Sequence, residues 1–362
     1  MSINREQLFE RQITLKEIGK KGQQKMQDAK VLVIGCGGLG SPIAVYLASS
    51  GIGELHLVDF DTVAISNLHR QVMFTLEDVG KYKAEVLTSF IQKRAPFTKV
   101  SFSANALKKE SVLSSISNFD IVVDATDSLP TKYLLNDACI LQNKPLVYGS
   151  LYKFDGYVGT FNVKESNENY TGNLRDAFPE IATDIPNCTE AGTLNTIVGI
   201  IALQQVNEVL KLITGVGKLL TNQLLIYNSL ENSQFKMKLT PTFFRDKISK
   251  IFDNETYFDA SCEVQNREWV ISAEELKNKL SDQTQLKPVI ISVIEKEANY
   301  PFTIDKTVSL SSLNKESFKP EDGINYVFVC EQGIKSYAAT SLLKEQYPTA
   351  QIVSLSGGIS RY

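Results

Sequence analysis

The chain has 362 residues, a formal net charge of −3 and 22% charged residues. The length predicts two or three domains, and the 43% hydrophobic content is enough to build substantial cores. Because positive and negative charges nearly balance, the composition predicts neither a nucleic-acid partner nor a membrane partner. An anionic ligand must therefore be bound by a local arrangement of backbone N–H groups and cationic side chains, because the net charge does not indicate an extended basic surface.

The cysteines and the apolar stretches indicate the compartment. No CxxC or CxxH pair occurs among the five cysteines, which are scattered at Cys36, Cys139, Cys188, Cys262 and Cys330. This spacing predicts no structural zinc site and no disulfide framework. The first thirty residues lack the apolar core of a signal peptide, and amide and charged residues interrupt the apolar stretch 193–213. We expect a cytoplasmic protein with reduced thiols, in which 193–213 is a core helix.

The first half of the chain predicts an α/β fold. A β-branched run at 31–34 ends in glycines, a helical composition follows at 41–50, and 54–60 is typical of a second strand. Strand, glycine turn, helix and strand form the βαβ unit that opens a doubly wound, Rossmann-like sheet. Two more strand patterns and a helix between them follow, at 120–124, 145–148 and 130–142.

The composition changes after about residue 240. The stretch 240–269 has no clear periodicity, and we expect an irregular linker there. The predicted boundaries are 1–245 for the first domain, 246–264 for the linker and 265–362 for a smaller α/β domain. In that last part, Ser272 and Glu275 form a capping-box pattern for a helix at 272–280. Strand patterns at 289–294 and 326–330 and a helical pattern at 336–347 complete it.

A glycine-rich motif lies where the first strand turns into the first helix, with glycines at Gly35, Gly37, Gly38 and Gly40. Glycines allow a tight turn and close approach to phosphate, and a helix N-terminus favours anions. Asp59 ends the next strand, where an acidic residue accepts a ribose hydroxyl. These features alone predict a nucleotide-binding domain and favour a dehydrogenase.

Polar residues downstream of Asp59 change that preference. The segments are Asp59-Phe-Asp61-Thr-Val, Asn67-Leu-His-Arg70-Gln and Gly80-x-x-Lys83. A hydride-transfer site has no need for two additional cations, whereas departing pyrophosphate requires fixed positive groups. Arg70 and Lys83 together therefore favour a triphosphate substrate. Both histidines, His56 and His69, are interpreted as structural or ligand-adjacent.

Across about 5–240, these motifs resemble the MoeB/ThiF/HesA family, bacterial relatives of ubiquitin-activating enzymes. The matching segments are Phe9-Glu-Arg11-Gln-Ile, GCGGLGSP, DxDxVxxxNLxRQ, Gly80-x-x-Lys83, Asp124-Ala-Thr-Asp127 and Cys188-Thr-Glu-Ala-Gly192. The resemblance implies ATP-dependent adenylation of the C-terminal glycine of a small ubiquitin-like sulfur carrier. In it, the carrier carboxylate attacks the α-phosphate and pyrophosphate leaves, while the enzyme supplies positioning and charge stabilisation.

The resemblance also implies roles for matching residues. The four glycines form the ATP loop, and Asp59 binds ribose with Asp61 beside it in the nucleotide site. The phosphates are held by Asn67, Arg70 and Lys83. Asp127 lies near magnesium and the α-phosphate, as hard cations favour carboxylates. Arg11 resembles an arginine donated across a dimer interface, which implies a homodimer.

The resemblance to known families implies chemical roles for two cysteines, Cys188 and Cys330. Cys188 lies on an irregular segment before a helix, and a cysteine at this position in the family can form acyl-thioester or acyl-persulfide links with the carrier. Relatives often bind zinc through two CxxC pairs, but Asn173 and Asp176 stand where the first pair would be, and no second pair exists. We expect no zinc here. Cys36 and Cys139 are interpreted as core residues.

Cys330 begins the segment Cys-Glu-Gln-Gly-Ile-Lys-Ser between a strand and a helix. This segment, with 355–359, resembles the active loop and closing segment of a rhodanese domain, which carries persulfide sulfur on its cysteine. The usual final arginine is Lys335, and the usual Asp-Val-Arg is Ser292-Val293-Ile294. An active sulfurtransferase and a degenerate docking domain both stay open, with persulfide chemistry preferred because the cysteine is present. A cysteine desulfurase is a possible sulfur donor.

Several functions stay open. The carrier is the small subunit of molybdopterin synthase, which the fused second domain favours, or the thiamine-pathway carrier. A nicotinamide-dependent oxidoreductase is the alternative of another class, but it leaves Arg70, Lys83 and Asp127 unexplained. A non-catalytic carrier-binding scaffold is disfavoured because the ATP residues are intact.

Overall fold

The structure is a computed structural model that describes residues 4–166, 168–181, 192–257, 267–282, 287–293, 300–308, 313, 318–331, 333–359 and 362. The chain divides into two compact units, Met1–Tyr257 and Phe258–Tyr362. Each unit is an α/β structure built on its own sheet. The mixed α/β fold with a Rossmann-like sheet agrees with the prediction.

The first unit contains an eight-stranded sheet in the order β3-β2-β1-β4-β5-β6-β7-β8. The strands are β1 Lys30–Ile34, β2 Glu54–Val58, β3 Lys99–Ser103, β4 Ile121–Asp124, β5 Leu146–Tyr152, β6 Asp155–Phe161, β7 Gln223–Asn228 and β8 Ser233–Lys238. The five strands from β3 to β5 pair in parallel, and the last three join them antiparallel.

The helices of this unit include short N-terminal turns and longer helices between the strands. They are α1 Arg5–Leu8, α2 Glu10–Ile13, α3 Gly19–Asp28, α4 Gly40–Ser49, α5 Lys83–Arg94, α6 Lys109–Ser117, α7 Leu129–Leu141, α8 Leu174–Ala177, α9 Asn195–Thr214 and α10 Arg245–Asn254. Short 3₁₀ helices occur at Ile65–Asn67 and Leu76–Asp78.

The sheet separates two hydrophobic cores because successive strand residues point to opposite faces. On β1, Val31 and Val33 belong to one core, while Leu32 and Ile34 belong to the other. The strand is therefore apolar along its length, as the sequence predicts for a parallel strand covered on both faces. Helices cover both faces of the sheet, so the ends of the strands are the part of the sheet that these helices leave accessible.

The apolar stretch predicted as a core helix forms α9. By length and composition this helix is able to cross a membrane. Its buried residues Ile197 and Ile201 nevertheless belong to the core of the first unit. Its buried amide Gln205 donates to the carbonyl oxygen of Asp124 at 2.8 Å. The helix packs against the sheet as predicted.

The predicted linker at 246–264 is wrong in its first part. Residues Arg245–Asn254 form α10, which packs against α7. Ile248 and Phe252 are buried, and they are four residues apart on one face of the helix. The spacing was present in the sequence, but charged residues around it obscured it. The rest of that segment, 258–264, lies outside the described residues.

The second unit contains a five-stranded sheet in the order β11-β10-β12-β13-β9 with parallel pairing. Its strands are β9 Val270–Ile271, β10 Val289–Ser292, β11 Lys306–Thr307, β12 Tyr326–Val329 and β13 Ile352–Leu355. Its described helices are α11 Ala273–Ser281 and α12 Ile334–Gln346, with a 3₁₀ turn at Arg267–Trp269. The predicted capping box at Ser272 and Glu275 is present.

Candidate functional site

The candidate nucleotide site lies at the carboxyl ends of β1, β2 and β4. The strand order of the first sheet reverses between β1 and β4, and such a switch point leaves a crevice at the strand ends. A Cβ placed on Gly35 would lie 2.7 Å from the carbonyl oxygen of Ala125, so the loops after β1 and β4 touch. The topology thus brings together the glycine motif and the segment that ends at Asp127.

The glycines of this loop are required for different reasons. Gly35 has a φ of +91°, a conformation that side chains disfavour. A Cβ on Gly40 would overlap the carbonyl oxygen of Gly35, and a Cβ on Gly38 would lie 2.8 Å from Val198. Only Gly37 has room, because its nearest neighbour would be the Nε2 atom of Gln71 at 3.4 Å. The loop is therefore closely packed at Gly35, Gly38 and Gly40, whereas Gly37 has room for a Cβ in ordinary contact with Gln71.

Asp59 connects the end of β2 to the glycine loop. Its Oδ2 accepts a hydrogen bond from the backbone N–H of Cys36 at 2.6 Å, and its Oδ1 accepts from the N–H of Asp61 at 2.8 Å. Burial raises the pKa of Asp59 above its ordinary value, and the nearby charge of Lys83 opposes that increase. The carboxylate is held next to the loop, where the sequence predicts ribose binding.

Lys83 is a buried cation at the start of α5. Its Nζ lies 2.7 Å from the Oδ2 of Asp61, whose side chain is half exposed. Its backbone N–H donates to the carbonyl of the same aspartate at 2.9 Å. Asp59, Asp61 and Lys83 are therefore brought together, as the sequence predicts. A buried lysine paired with one partly solvated carboxylate is able to change partner when a phosphate enters.

The segment from Asn67 to Gln71 lies against the same loop. The backbone of Arg70 passes 3.8 Å from a Cβ placed on Gly38, and its guanidinium donates to the carbonyl of Ser66 at 3.0 Å. Gln71 is buried, and its Oε1 has no hydrogen-bond partner among the described residues. The matching motif includes this glutamine as its last residue, but the sequence analysis assigns it no role.

A buried ion pair supports the loop after β4. The Nζ of Lys132 lies 3.1 Å from the Oδ2 of Asp124 and donates to the carbonyl of Gly149 at 2.7 Å. The other oxygen of Asp124 accepts from the N–H and the hydroxyl of Thr126. This network fixes the turn that leads to the exposed Asp127. Sequence reasoning missed Lys132, although a lysine in an apolar helix is seldom buried without a partner.

Arg11 is not brought to this site within one chain. It is exposed on α2, and the neighbouring Phe9 packs at Gly51, just beyond the end of α4. The glycine loop precedes the start of α4, and the ends of a ten-residue helix lie about 15 Å apart. The predicted role of Arg11 therefore depends on a second copy of the chain.

Cys188 lies outside the described residues, as do the residues next to it. The described segment at Phe178 and Glu180 is anchored to α7. The hydroxyl of Tyr133 donates to the carbonyls of Phe178 and Glu180 at 2.9 and 2.7 Å. Burial raises the pKa of Tyr133 to about 12, so the phenol keeps its proton at neutral pH. Arg175 forms a buried ion pair with Asp137 in the same region, with Nη2 and Oδ2 at 2.7 Å.

Asn173 and Asp176 form a capping box at the start of α8. The Oδ1 of Asp176 accepts from the N–H and hydroxyl of Thr242, at 2.7 and 2.9 Å. The side chain of Asn173 donates to the carbonyl of Phe243 at 2.9 Å. Hydrogen bonds thus connect this turn to the segment before α10. Across the part of the chain that the structure describes, no group of three or more His, Cys, Asp or Glu is placed to hold a metal.

Cys330 follows the central strand β12 of the second unit. The backbone N–H groups of Gly333 and Ser336 donate to its sulfur at 3.1 and 3.3 Å, and the Ser336 hydroxyl lies 3.4 Å from it. Gly333 has a φ of +83° and precedes the first residue of α12. Such a ring of donors stabilises a thiolate or a terminal persulfide sulfur. Lys335 is exposed.

Comparisons with known proteins identify the first unit. The ThiF family profile matches residues 9–245. A "Sulfur carrier protein adenylyltransferase" of Thermus thermophilus is 39% identical over 231 residues, which cover 63% of this chain and 85% of the relative. A "Probable molybdopterin-synthase adenylyltransferase" of Porphyra purpurea is 30% identical over 363 residues, covering 98% and 92%.

A relative named as bifunctional and a solved structure add to this finding. The "Probable adenylyltransferase/sulfurtransferase MoeZ" of Mycobacterium tuberculosis is 35% identical over 260 residues, covering 71% of this chain and 66% of the relative. The crystal structure of E. coli MccB with ATP is 26% identical, covers 61% of this chain and 67% of that chain, and has a TM-score of 0.54. The profile match spans more than half of the sequence. The chain belongs to the ThiF family.

Proposed function

We propose that the chain uses ATP to adenylate the C-terminal glycine of a ubiquitin-like sulfur carrier, preparing it for thiocarboxylate formation. The observation that carries the proposal is the connected set of Asp59, Asp61 and Lys83 beside the glycine loop at the switch point. A carboxylate and a buried cation beside one crevice suit the ribose and the phosphates of ATP. Relatives named as adenylyltransferases of sulfur carriers and of molybdopterin synthase support the same reaction.

The residues fit ATP in the following way. The open position at Gly37 admits the phosphates, and Asp59 accepts hydrogen bonds from the ribose. Lys83 exchanges Asp61 for a phosphate oxygen, and Asn67 and Arg70 complete the cationic side. The carboxylate of the carrier attacks the α-phosphate, the bond to the β-phosphate oxygen breaks, and pyrophosphate leaves with the negative charge. The protein contributes orientation and fixed positive charge.

Asp127 is the residue that would hold magnesium together with the phosphates, since it is exposed at the end of the supported loop. Bound there, magnesium would neutralise charge on the phosphate oxygens. The rigid turn made by Asp124, Thr126 and Lys132 keeps that carboxylate at the switch point. The proposed assembly is a cytoplasmic homodimer in which Arg11 enters the ATP site of the partner, and Cys188 is a possible covalent residue for the carrier.

The carrier of molybdopterin synthase is preferred over the thiamine-pathway carrier. A relative named for molybdopterin synthase matches 98% of this chain, which includes the second unit. The two carriers share a Gly-Gly end, so the surface that selects between them lies outside the adenylation chemistry.

A nicotinamide-dependent oxidoreductase and a non-catalytic scaffold fit less well. Hydride transfer to a nicotinamide does not require the buried cation Lys83 near the carboxylate of Asp59. A non-catalytic scaffold does not require that cation either. ATP–pyrophosphate exchange that requires the carrier separates all three functions. Exchange is expected with one Gly-Gly carrier and not with the same carrier lacking its last glycine. ATP binding without exchange for either carrier would refute adenylation.

A second proposed activity is sulfur transfer on a rhodanese-like second unit, which Cys330 and its ring of N–H donors support. In this reaction the thiolate of Cys330 attacks the outer sulfur of a persulfide donor, such as a cysteine desulfurase. The sulfur–sulfur bond of the donor breaks, its thiolate leaves, and Cys330 becomes the persulfide. Trapping persulfides on wild type and on Cys330→Ser tests this step, and equal labelling of both would contradict it.

A further inference from the structure

The four-residue helix α2 presents Arg11 in an unusual setting. A single helical turn is not stable alone, because nucleation costs more than one hydrogen bond returns. Arg11 itself is exposed and makes no hydrogen bond or ion pair with another residue that the structure describes. Its neighbours Phe9 and Gln12 are instead turned towards the protein. Something other than the arginine therefore holds this turn.

A group of five residues holds it, which we name the clasp: Phe9, Gln12, Gln23, Ser50 and Gly51. The Nε2 of Gln12 lies 3.3 Å from the Oε1 of Gln23 and donates to the carbonyl of Ser50 at 3.2 Å. The Nε2 of Gln23 donates to that carbonyl at 3.0 Å. Two side chains from different helices thus share one backbone oxygen at the end of α4.

The apolar half of the clasp is equally close-fitting. Phe9 is 3% exposed, and its ring covers Gly51, where a Cβ would lie 2.7 Å from a ring carbon. Gly51 has a φ of +88°, so both its conformation and its space require glycine. The clasp fixes the turn on either side of Arg11, at Phe9 and at Gln12, while Arg11 itself stays exposed.

We infer that the clasp is a positioning device that orients Arg11 for the ATP site of a second copy of this chain. The inference rests on the proposed adenylation and on the proposed transfer of Arg11 between subunits. Within its own subunit the clasp lies at the far end of α4 from the glycine loop, about 15 Å away along the helix. Gln12 and Gln23 therefore act through Arg11, and neither touches the nucleotide of its own subunit.

Mixed dimers test the inference. Two chains carrying different tags are co-expressed, and dimers holding both tags are purified. In a dimer of Arg11→Ala with Asp127→Ala, the pocket of the first chain is intact and receives Arg11 from the second, so one of two sites works. Such dimers are expected to show about half of the wild-type ATP–pyrophosphate exchange, although each homodimer is inactive.

Gln12→Leu, which keeps the bulk of the side chain and removes its donors, replaces Arg11→Ala in the decisive experiment. Its homodimer is expected to lose about 10- to 100-fold in exchange, since a small misplacement of a catalytic cation costs this much. Its mixed dimer with Asp127→Ala is expected to recover to about half of wild type. Gln24→Ala is the matched control, because Gln24 is exposed on α3 and, among the residues that the structure describes, its side chain bonds only to Asp28.

Each result decides something different. Exchange could recover in the mixed dimer of Arg11→Ala with Asp127→Ala but not in that of Gln12→Leu with Asp127→Ala. In that case the clasp stabilises its own subunit and the inference is wrong. Full activity of the Gln12→Leu homodimer would also overturn it. If neither mixed dimer recovers while the wild type is active, Arg11 does not act between subunits, and adenylation itself stands. Absence of exchange in the wild type refutes the proposed function instead.

Discussion

Two cysteines of this chain follow the central parallel strands of two sheets, and the protein uses the two loops in opposite ways. At Cys36 the backbone N–H points outward to the carboxylate of Asp59, and burial raises the pKa of the thiol well above its ordinary value. At Cys330 the N–H groups of the loop point inward to the sulfur. The same strand–loop–helix topology thus directs the N–H groups of one loop to a carboxylate and those of the other to a sulfur atom, which suits the nucleotide and the persulfide that we propose for them.

The largest effect separates the two thiols. Cys330→Ser is expected to abolish persulfide labelling of the second unit, because no other described thiol lies in a ring of N–H donors. Cys36→Ala is expected to leave labelling at the wild-type level, since a buried thiol with a raised pKa remains protonated. Persulfide trapping followed by peptide mapping measures both. Persulfide labelling of Cys36 in the Cys330→Ser protein would contradict the different reactivity expected for the two thiols.

The next effect concerns the cation of the first loop. Lys83→Ala removes the buried positive charge that lies 2.7 Å from the carboxylate of Asp61, and we expect carrier-dependent exchange to fall about 10²–10³-fold. Lys81→Ala is the matched control, because Lys81 is exposed and pairs only with Asp78. Persulfide labelling of Cys330 should be unaffected in both variants. Equal exchange rates in the two lysine variants would contradict the assignment of Lys83.

How far the sequence predicts these loops depends on the type of interaction. The strands β1, β2, β4, β5, β10 and β12, the helices α4, α7 and α9 and the capping box at Ser272 follow from local sequence patterns, and they are present. The helix α10 was missed because two buried residues among charged neighbours give a weak pattern. Lys132 is eight residues from Asp124 and Gln12 is 38 residues from Ser50, so neither contact follows the period of a helix or a strand. No local pattern specifies such partners, since only the packed fold brings them together.

A smaller effect is expected for the glycines that pack each loop. Gly40→Ala would force a Cβ onto the carbonyl of Gly35, and Gly358→Ala would do the same at the carbonyl of Cys330. Each is expected to lower the unfolding free energy of its own unit by about 1–3 kcal/mol. Gly37→Ala, which has space, should change stability by less than about 0.5 kcal/mol. Denaturant unfolding measures all three, and a large loss for Gly37→Ala would show that the loop is packed differently.

The smallest effect is a pH dependence of ATP binding. Burial raises the pKa of Asp59 above its usual 3.8, and only the ionised form accepts hydrogen bonds on both oxygens. ATP affinity should therefore fall as the pH drops, with a midpoint above that usual value. Asp59→Asn should bind more weakly at neutral pH and lose this dependence. Titration calorimetry at several pH values measures it, and an unchanged slope in Asp59→Asn would assign the dependence to another group.

The central claim is that this chain forms an adenylate on the carrier. Intact-mass measurement of a Gly-Gly carrier after incubation with the protein, ATP and magnesium tests it most directly. We predict a carrier carrying one AMP group, no such species when the last glycine is removed, and none with the Lys83→Ala protein at the same time point. An unmodified carrier with no carrier-dependent release of pyrophosphate, or hydride transfer to a nicotinamide in place of ATP turnover, would contradict carrier adenylation.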